Sequence, residues 1–531
     1  MTGKRVLVGL MLWPLAVWGQ KPVISTVVNA ASYSRSFTSS GVHNITAGSI
    51  ATIFGTNLAA STQTANTVPL PISLGGAKVV FQGIAAPLFY VSPSQINFQA
   101  PSNALGNNGG IVVTTSTGSS DPYLLQGTDS ALGIFTLDGS GCGQGLISNV
   151  SSDGTVSLNS MANSISPGEY LTVYGTGLFI QAYKPTDGSA APSYPLARSD
   201  STVVGVFDSA IDDTFDSYFS NFWSGLAPGM IGVDQMNVRV PETTREGCAV
   251  PFQVLAATEG NISQPVTLAV RQGGGACVDP PVAGYGQITW EKAVNTTAAG
   301  AAETDTVTVS LQAAPGMQPP SLLSPALETN VYYFGASCPI PGYRSLDAGT
   351  VTVQGSGFGP VTAPVAPLQK GQVSGLTVYQ AALPAGSIQS GKFTAAATGG
   401  ADAGGFRATT QIGPEIQFAT ALEGTSFPCY QSVKIGWTGG DPSAWVTVRQ
   451  VFPSWDSYSF DHAFQARVSD GTISVPNVNN PCKIPGSPIK LVIEVTPDPS
   501  EVAAFSAPGL SLGGTLLWKY TYTFDAFLSA E

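Results

Sequence analysis

Ile45-Thr-Ala-Gly-Ser-Ile-Ala-Thr-Ile-Phe-Gly-Thr-Asn-Leu58 recurs 120 residues later as Ile165-Ser-Pro-Gly-Glu-Tyr-Leu-Thr-Val-Tyr-Gly-Thr-Gly-Leu178. A second pair follows at an offset of 140: Gln95-Ile-Asn-Phe-Gln-Ala-Pro101 and Gln235-Met-Asn-Val-Arg-Val-Pro241. The later copy therefore holds about 20 extra residues, placed most simply in the acidic segment Pro185–Asp216. Ala348-Gly-Thr-Val-Thr-Val-Gln-Gly-Ser-Gly-Phe358 is a fainter third echo. In each full copy a glycine turn (Gly48, Gly168) leads into an alternating strand. Gly55 and Gly175 let the backbone bend or bulge, and Leu58 and Leu178 return an apolar side chain to the core. Gln95 and Asn97 alternate with Ile96 and Phe98, as Gln235 and Asn237 do with Met236 and Val238, the pattern of a half-buried strand. Pro101 and Pro241 end it.

Outside the repeat the strand signals are equally dense. Val79–Phe81, Ile111–Thr115, Leu171–Tyr174, Val203–Phe207, Val250–Ala256, Val266–Val270, Thr306–Leu311, Val351–Val353, Val446–Val451 and Lys490–Val495 are short and rich in β-branched or aromatic residues. Asp153-Gly154 and Asp470-Gly471 read as type I′ hairpin turns, joining Ile147–Val150 to Val156–Leu158 and Phe464–Val468 to Thr472–Val475; Asn108-Gly109 is a third turn signal. No long stretch has helical periodicity. Composition agrees: 61 Gly and 39 Pro among 531 residues favour turns, and only 10% charged residues leave few helix formers. The expected fold class is all-β, a tandem series of sandwiches. A formal charge of −12 disfavours a nucleic-acid partner.

The repeated units resemble the IPT/TIG type of immunoglobulin-like domain, and more closely an uncharacterised module found, often paired, in secreted proteins of soil acidobacteria. Val27-Val-Asn-Ala-Ala-Ser-Tyr33, Ser73-Leu-Gly-Gly76 and Ala86-Pro-Leu-Phe-Tyr-Val-Ser-Pro-Ser-Gln-Ile-Asn-Phe-Gln-Ala-Pro101 carry the resemblance, with Gly225–Gly229 and Asp234–Pro241 in the second copy. It covers about residues 23–278 and implies an extracellular immunoglobulin-like β-sandwich with no catalytic residues. The later half resembles, more loosely, β-rich domains that accompany such modules, through Leu346–Val353, Gly399–Phe406 and Ile435–Gly440.

Lys4 and Arg5 before the apolar run Val6–Trp18, with small residues ahead of Gln20, read as an export signal. The run is too short to span a bilayer, and no second run of spanning length follows, so no integral membrane segment is expected once the signal is removed. Six cysteines without metal-ligand spacing fit disulfides in an oxidising compartment. Cys248 and Cys277 fall at the ends of an expected hairpin, and Cys429 and Cys482 flank most of the last domain; both are expected pairs. Cys142 and Cys338 have no local partner. The expected organisation is a signal at 1–19, modules at 20–139 and 140–278 (the second with the acidic insertion), a linker with one strand at 279–330, and sandwich-like segments at 331–412 and 413–531.

Reactive chemistry is sparse. Gly509-Leu-Ser511-Leu-Gly513 has the nucleophile-elbow pattern, but no histidine follows it: the chain's two are His43 and His462. A glycine-rich loop is the reading there. Asp208, Asp212, Asp213 and Asp216 lack a calcium-loop spacing and read as a solvated insertion. Neither catalytic residues nor a cofactor or metal site is expected. Trp445, Trp455 and Tyr458 are the candidate ligand platform, because flat aromatics beside carboxylates stack on sugar rings; Trp437 reads as core. The favoured function is a non-enzymatic, secreted or cell-surface interaction or scaffold protein whose partner is an extracellular protein or polysaccharide. A glycan-binding accessory protein is the alternative, and a carboxylate-pair glycosidase comes third.

Overall fold

The computed structural model describes residues 20–529 apart from 35, 38–42, 106–108, 129, 179, 200–202, 208–209, 212–222, 257–260, 318–337, 339–341, 368–375, 429–430, 452–462 and 477–487. Apart from short 3-10 turns, its regular elements are β-strands. In the first module Val23–Asn29, Ile50–Thr56, Gln95–Gln99 and Leu88–Val91 lie side by side in that order. Gly118–Ser119, Ile111–Thr115 and Lys78–Phe81 form a second sheet. This is the A-B-E-D and G-F-C order of the immunoglobulin sandwich. The second module repeats it with Ile147–Val150, Tyr170–Thr176, Asp234–Arg239 and Ser224–Leu226 in one sheet and Val266–Val270, Gly247–Ala256 and Val203–Phe207 in the other.

The repeat is exact at the level of register. Ala51 faces Phe98 and Ile53 faces Ile96, as Leu171 faces Val238 and Val173 faces Met236. Ile53, Ile96 and Phe98 belong to one buried cluster, and Val173, Met236 and Val238 to another, so each module encloses its own core. Leu58 and Leu178 are buried in these cores. Gly48 and Gly168 have φ of 88° and 87°, which only glycine adopts without strain. Gly55 and Gly175 have a different reason. A Cβ at Gly55 would stand 2.0 Å from the carbonyl oxygen of Val23, and one at Gly175 would stand 2.4 Å from that of Gly133. Close approach of the first strand, not a bulge in their own, requires glycine. Gly175→Val is expected to destabilise the second module by about 1–3 kcal/mol, the usual cost of overpacking, read as a lower urea midpoint.

The first strand of the second module is interrupted. Gly133–Ile134 pairs with Thr176 and Gly175, and Ile147–Val150 resumes on the same partner. The uninterrupted equivalent, Val23–Asn29, has only a bulge there, between Ile24 and Thr26. The inserted loop carries Cys142.

Three sequence expectations are corrected. Segment 279–330, expected as a linker with one strand at Thr306–Leu311, is instead built of two sixteen-residue strands, Val282–Thr297 and Gly300–Pro315, the second containing the expected one, paired along their whole length. They lie in the middle of an eleven-stranded sheet, and Gly514–Ser529 runs parallel to the first of them. Asp153-Gly154 does join a hairpin, but only Gly154 has positive φ, so the turn is not type I′. Asp153 instead accepts a hydrogen bond from the Thr155 amide. Asp470-Gly471 joins no hairpin. Ala463–Arg467 pairs with Trp445–Val451 in the large sheet, whereas Thr472–Pro476 pairs with Ser432–Gly439 in a small one. Between them a 3-10 turn, Val468–Asp470, takes the chain across the sandwich; Asp470 accepts from the Arg467 amide and Gly471 caps the turn at φ 66°.

Two smaller sheets pack on the large one: a four-stranded sheet containing Val351–Gly355, and a three-stranded sheet containing Ser432–Gly439. Side chains of all three share a single core running from Val351 and Phe393 through Trp290 and Trp518 to Phe427 and Trp437.

Candidate functional site

The residues repeated outside the cores account for much of the recognisable sequence. Thr52 and Gln95 both donate to Asn97 Oδ1, at 3.1 and 2.8 Å; Thr172 and Gln235 both donate to Asn237 Oδ1, at 3.2 and 3.3 Å. The Thr–Asn pairs cross adjacent strands and the Gln–Asn pairs run along one, all on the sheet face opposite the core, and the cross-strand pairs stabilise the sheet there.

Gln99, Thr46 and Asn29 do something else: they hold the second module. Asn29 is buried, and its Nδ2 donates to the carbonyls of Ala131 and Thr176 at 2.8 and 2.9 Å. Its Oδ1 accepts from the amides of Ala31 and Ser32. Thr176 is fully buried, and its Oγ1 accepts from the Ile50 amide at 2.8 Å and donates to Gly232 O at 2.7 Å. Thr46 Oγ1 donates to Gly177 O, and Gln99 Oε1 accepts from the Gly188 amide. Both donor hydrogens of the Asn29 side chain are thus committed to the second module, while its Oδ1 holds the turn that follows in its own. Module two does not reuse the device: Asn149, the counterpart of Asn29, bonds to Asn163 O and Asn159 inside its own module.

The second module is in turn fastened to the C-terminal half. Cys142 and Cys338 form a disulfide across 196 residues, and Arg245 donates to Pro315 O at 3.0 Å. The expected Cys248–Cys277 bridge is present at the end of the Gly247–Ala256 and Val266–Val270 hairpin. Cys429 and Cys482 lie outside the described residues.

Of the expected aromatic platform, Trp455 and Tyr458 lie outside the described residues, as does His462. Trp445 is half-buried, and the Arg467 guanidinium sits 3.9 Å above its ring. Its Nε1 donates to Asp498 Oδ2, and the same carboxylate pairs with Arg467. Hydrogen bonds from Ser500, with Arg467, hold the Asp498 carboxyl well below the usual carboxylate range. Trp437 is core, its Nε1 donating to Val468 O at 2.8 Å. Ser511 stands in a turn and accepts from the Gly284 amide, so the Gly-Leu-Ser-Leu-Gly stretch is a loop anchored to the long hairpin. Asp208, Asp212, Asp213 and Asp216 are outside the described residues, and among those described no group of three or more His, Cys, Asp and Glu is placed to hold a metal ion.

Two motifs from the C-terminal half meet. Asp347 accepts from the amides of Gly349 and Ala401, and Asp402 accepts from the amide of Asp347 and from Arg344. Backbone donors hold both carboxyls below their ordinary value. The pair locks two loops together.

Sequence reading missed a buried ionic cluster under the seam between the two smaller sheets. Lys292, Asp305 and Glu303 project from the long hairpin, Tyr520 and Tyr522 from Gly514–Ser529, and Glu415 from the link between Phe406–Ile412 and Ile416–Phe418. Lys292 Nζ is 2.9 Å from Glu415 Oε1 and 3.3 Å from Glu303 Oε2. Burial opposes the ammonium charge, but the two carboxylates outweigh it and hold Lys292 above its ordinary value. Asp305 is 1% exposed and burial pushes its carboxyl up; Oδ2 accepts from the Ile388 amide, while Oδ1 has no hydrogen-bond partner. Burial also pushes the Tyr520 and Tyr522 hydroxyls up, so both remain protonated donors.

No protein-family model matches the chain, and no curated protein is similar to it in sequence. Solved structures that align with it include the I9–I11 tandem of titin (8% identity, 69% of this chain and 94% of that one, TM-score 0.12). The insect immune protein hemolin aligns at 10% identity over 96% of this chain and all of that one, with TM-score 0.14. An auxiliary nutrient binding protein from Bacteroides thetaiotaomicron aligns at 9% identity over 84% and 85% of the two chains, with TM-score 0.13. The immunoglobulin-like assignment rests on the strand orders given above.

Proposed function

We propose that this chain is a non-enzymatic, exported scaffold, an IPT/TIG-like tandem that holds its binding surfaces in a fixed arrangement for an extracellular protein or polysaccharide. The observation that carries the reading is the junction between the modules. Tandem modules joined by a passive linker move relative to one another by default. Here Asn29, Thr46, Gln99 and Thr176 engage buried backbone groups of the neighbouring module, and leaving any such group unpaired costs about 1–3 kcal/mol. Disulfides support an oxidising destination, as does the leader-like opening of the sequence.

The test is small-angle scattering with a spin-label distance between the modules. The native chain is expected to give one narrow distance distribution. Asn29→Ala combined with Thr176→Val is expected to broaden it while each module keeps its β-sheet circular dichroism. A broad distribution in the native chain would refute a fixed scaffold.

A further inference from the structure

The buried cluster around Lys292 holds the parts of an acyl transfer. Lys292 Nζ lies 2.9 Å from Oε1 of Glu415 and becomes a nucleophile once it gives up a proton. Glu303 Oε2, at 3.3 Å, can take a proton from that nitrogen. Tyr522 OH donates to the other Glu415 oxygen, Oε2, at 3.2 Å, where negative charge would develop. The side chain of Lys292 is 11% exposed and that of Glu415 30%, so the contact lies at the edge of the core with the amine end the better shielded. Nucleophile, base and oxyanion donor therefore converge on one carboxyl carbon.

We infer that Lys292 and Glu415 condense within the folded chain to an amide, a covalent cross-link between the long hairpin and the entry to the last small sheet. The ammonium passes a proton to Glu303, and the neutral amine attacks Cδ of Glu415. The C–N bond forms and the C–Oε1 bond breaks. Oε1 leaves as water with two protons, both from the original ammonium, one of them relayed by Glu303, which ends as a carboxylate. Oε2 remains as the amide oxygen, held by Tyr522. No oxidant, metal or co-reactant is needed.

Two physical effects favour the step. Fixing the reactants in contact supplies an effective concentration far above that of free groups in solution. Condensation also removes the buried charge of Lys292 together with the partly exposed charge of Glu415, and keeping charge out of water is costly even when it is paired. The link would close a loop of 123 residues by sequence separation.

Intact-mass spectrometry of the purified, denatured chain tests this directly. After allowance for its disulfides and any processing at the ends, the native chain is expected to be lighter than its sequence by one water. Trypsin is expected not to cut after Lys292, and the peptide holding Lys292 should be joined to the one holding Glu415. Lys292→Arg and Glu415→Ala should each run at full mass. Glu303→Gln, which keeps both reacting groups, should run wholly or largely at full mass. A native chain of full mass that trypsin cuts at Lys292 would overturn the inference. A link from Lys292 to the Glu303 peptide would overturn the assignment of Glu415. The measurement is made on denatured native chain, so no variant has to fold for it to decide.

Discussion

Asn in place of Asp234 is expected to stabilise the second module at neutral and alkaline pH and to leave it unchanged in acid. Asp234 is fully buried, and its Oδ2 accepts from the Leu178 amide at 2.8 Å. Burial pushes the carboxyl up to about 8, against the hydrogen bonds from Leu178 and Gly177. The folded chain therefore holds a proton that the unfolded chain releases near the ordinary value of 3.8. Stability linked to this group is intact below that value and is lost progressively as pH rises to about 8. At roughly 1.4 kcal/mol per pKa unit, the loss at pH 7 has an upper limit of about 4 kcal/mol. Asn keeps an acceptor for the Leu178 amide and has no proton to lose. Urea unfolding of native and Asp234→Asn chains between pH 4 and pH 8 should give curves that meet in acid and diverge above it. A constant offset at every pH would show that packing, not ionisation, governs the site. Ser94 stands at the equivalent point of the first module, so no matching effect is expected there.

Loss of the Cys142–Cys338 bridge is the second large effect. The two residues are 196 apart in sequence, with Cα atoms 5.3 Å apart. Closing so long a loop in the unfolded chain is worth about 5 kcal/mol in the chain-entropy account. The double substitution Cys142→Ser, Cys338→Ser leaves no unpaired thiol from this bridge. It is expected to lower the urea midpoint and to separate unfolding of the second module from that of the C-terminal half. An unchanged, single transition would mean that Arg245 and the surrounding contacts already fuse the two.

What the sequence disclosed follows from the range of the interactions. The repeat was legible because local alternation fixes which side chains enter a core, and the two offsets carried over into register: Thr52 opposite Asn97, Thr172 opposite Asn237. The Cys248–Cys277 bridge was legible because a hairpin is local. The long strands were legible only at Thr306–Leu311. Inward alternation along Val282–Thr297 runs Ile288, Trp290 and then Lys292, and along Gly300–Pro315 it meets Asp305, so charged residues interrupt the apolar pattern where the strands are most central. Asn29 gave no sign of its task, because the carbonyls it engages are 102 and 147 residues away. Asp470-Gly471 misled because the same dipeptide serves a corner between sheets as readily as a hairpin. The Lys292 cluster drew its members from three distant parts of the chain, and no local motif announces it.

The parallel pairing of Val282–Thr297 with Gly514–Ser529 also sets a schedule. Trp290 lies beside Trp518 in the middle of the large sheet, so a central strand of this unit is made only after the 228 residues that separate it from its parallel partner. Until it arrives, the long hairpin has an open edge on that side, an arrangement prone to pairing with other chains. The two modules can complete their cores while synthesis continues, but the large sheet must wait for Gly514–Ser529. A shortened product ending before residue 514 would carry two finished modules and an unfinished, adhesive sheet.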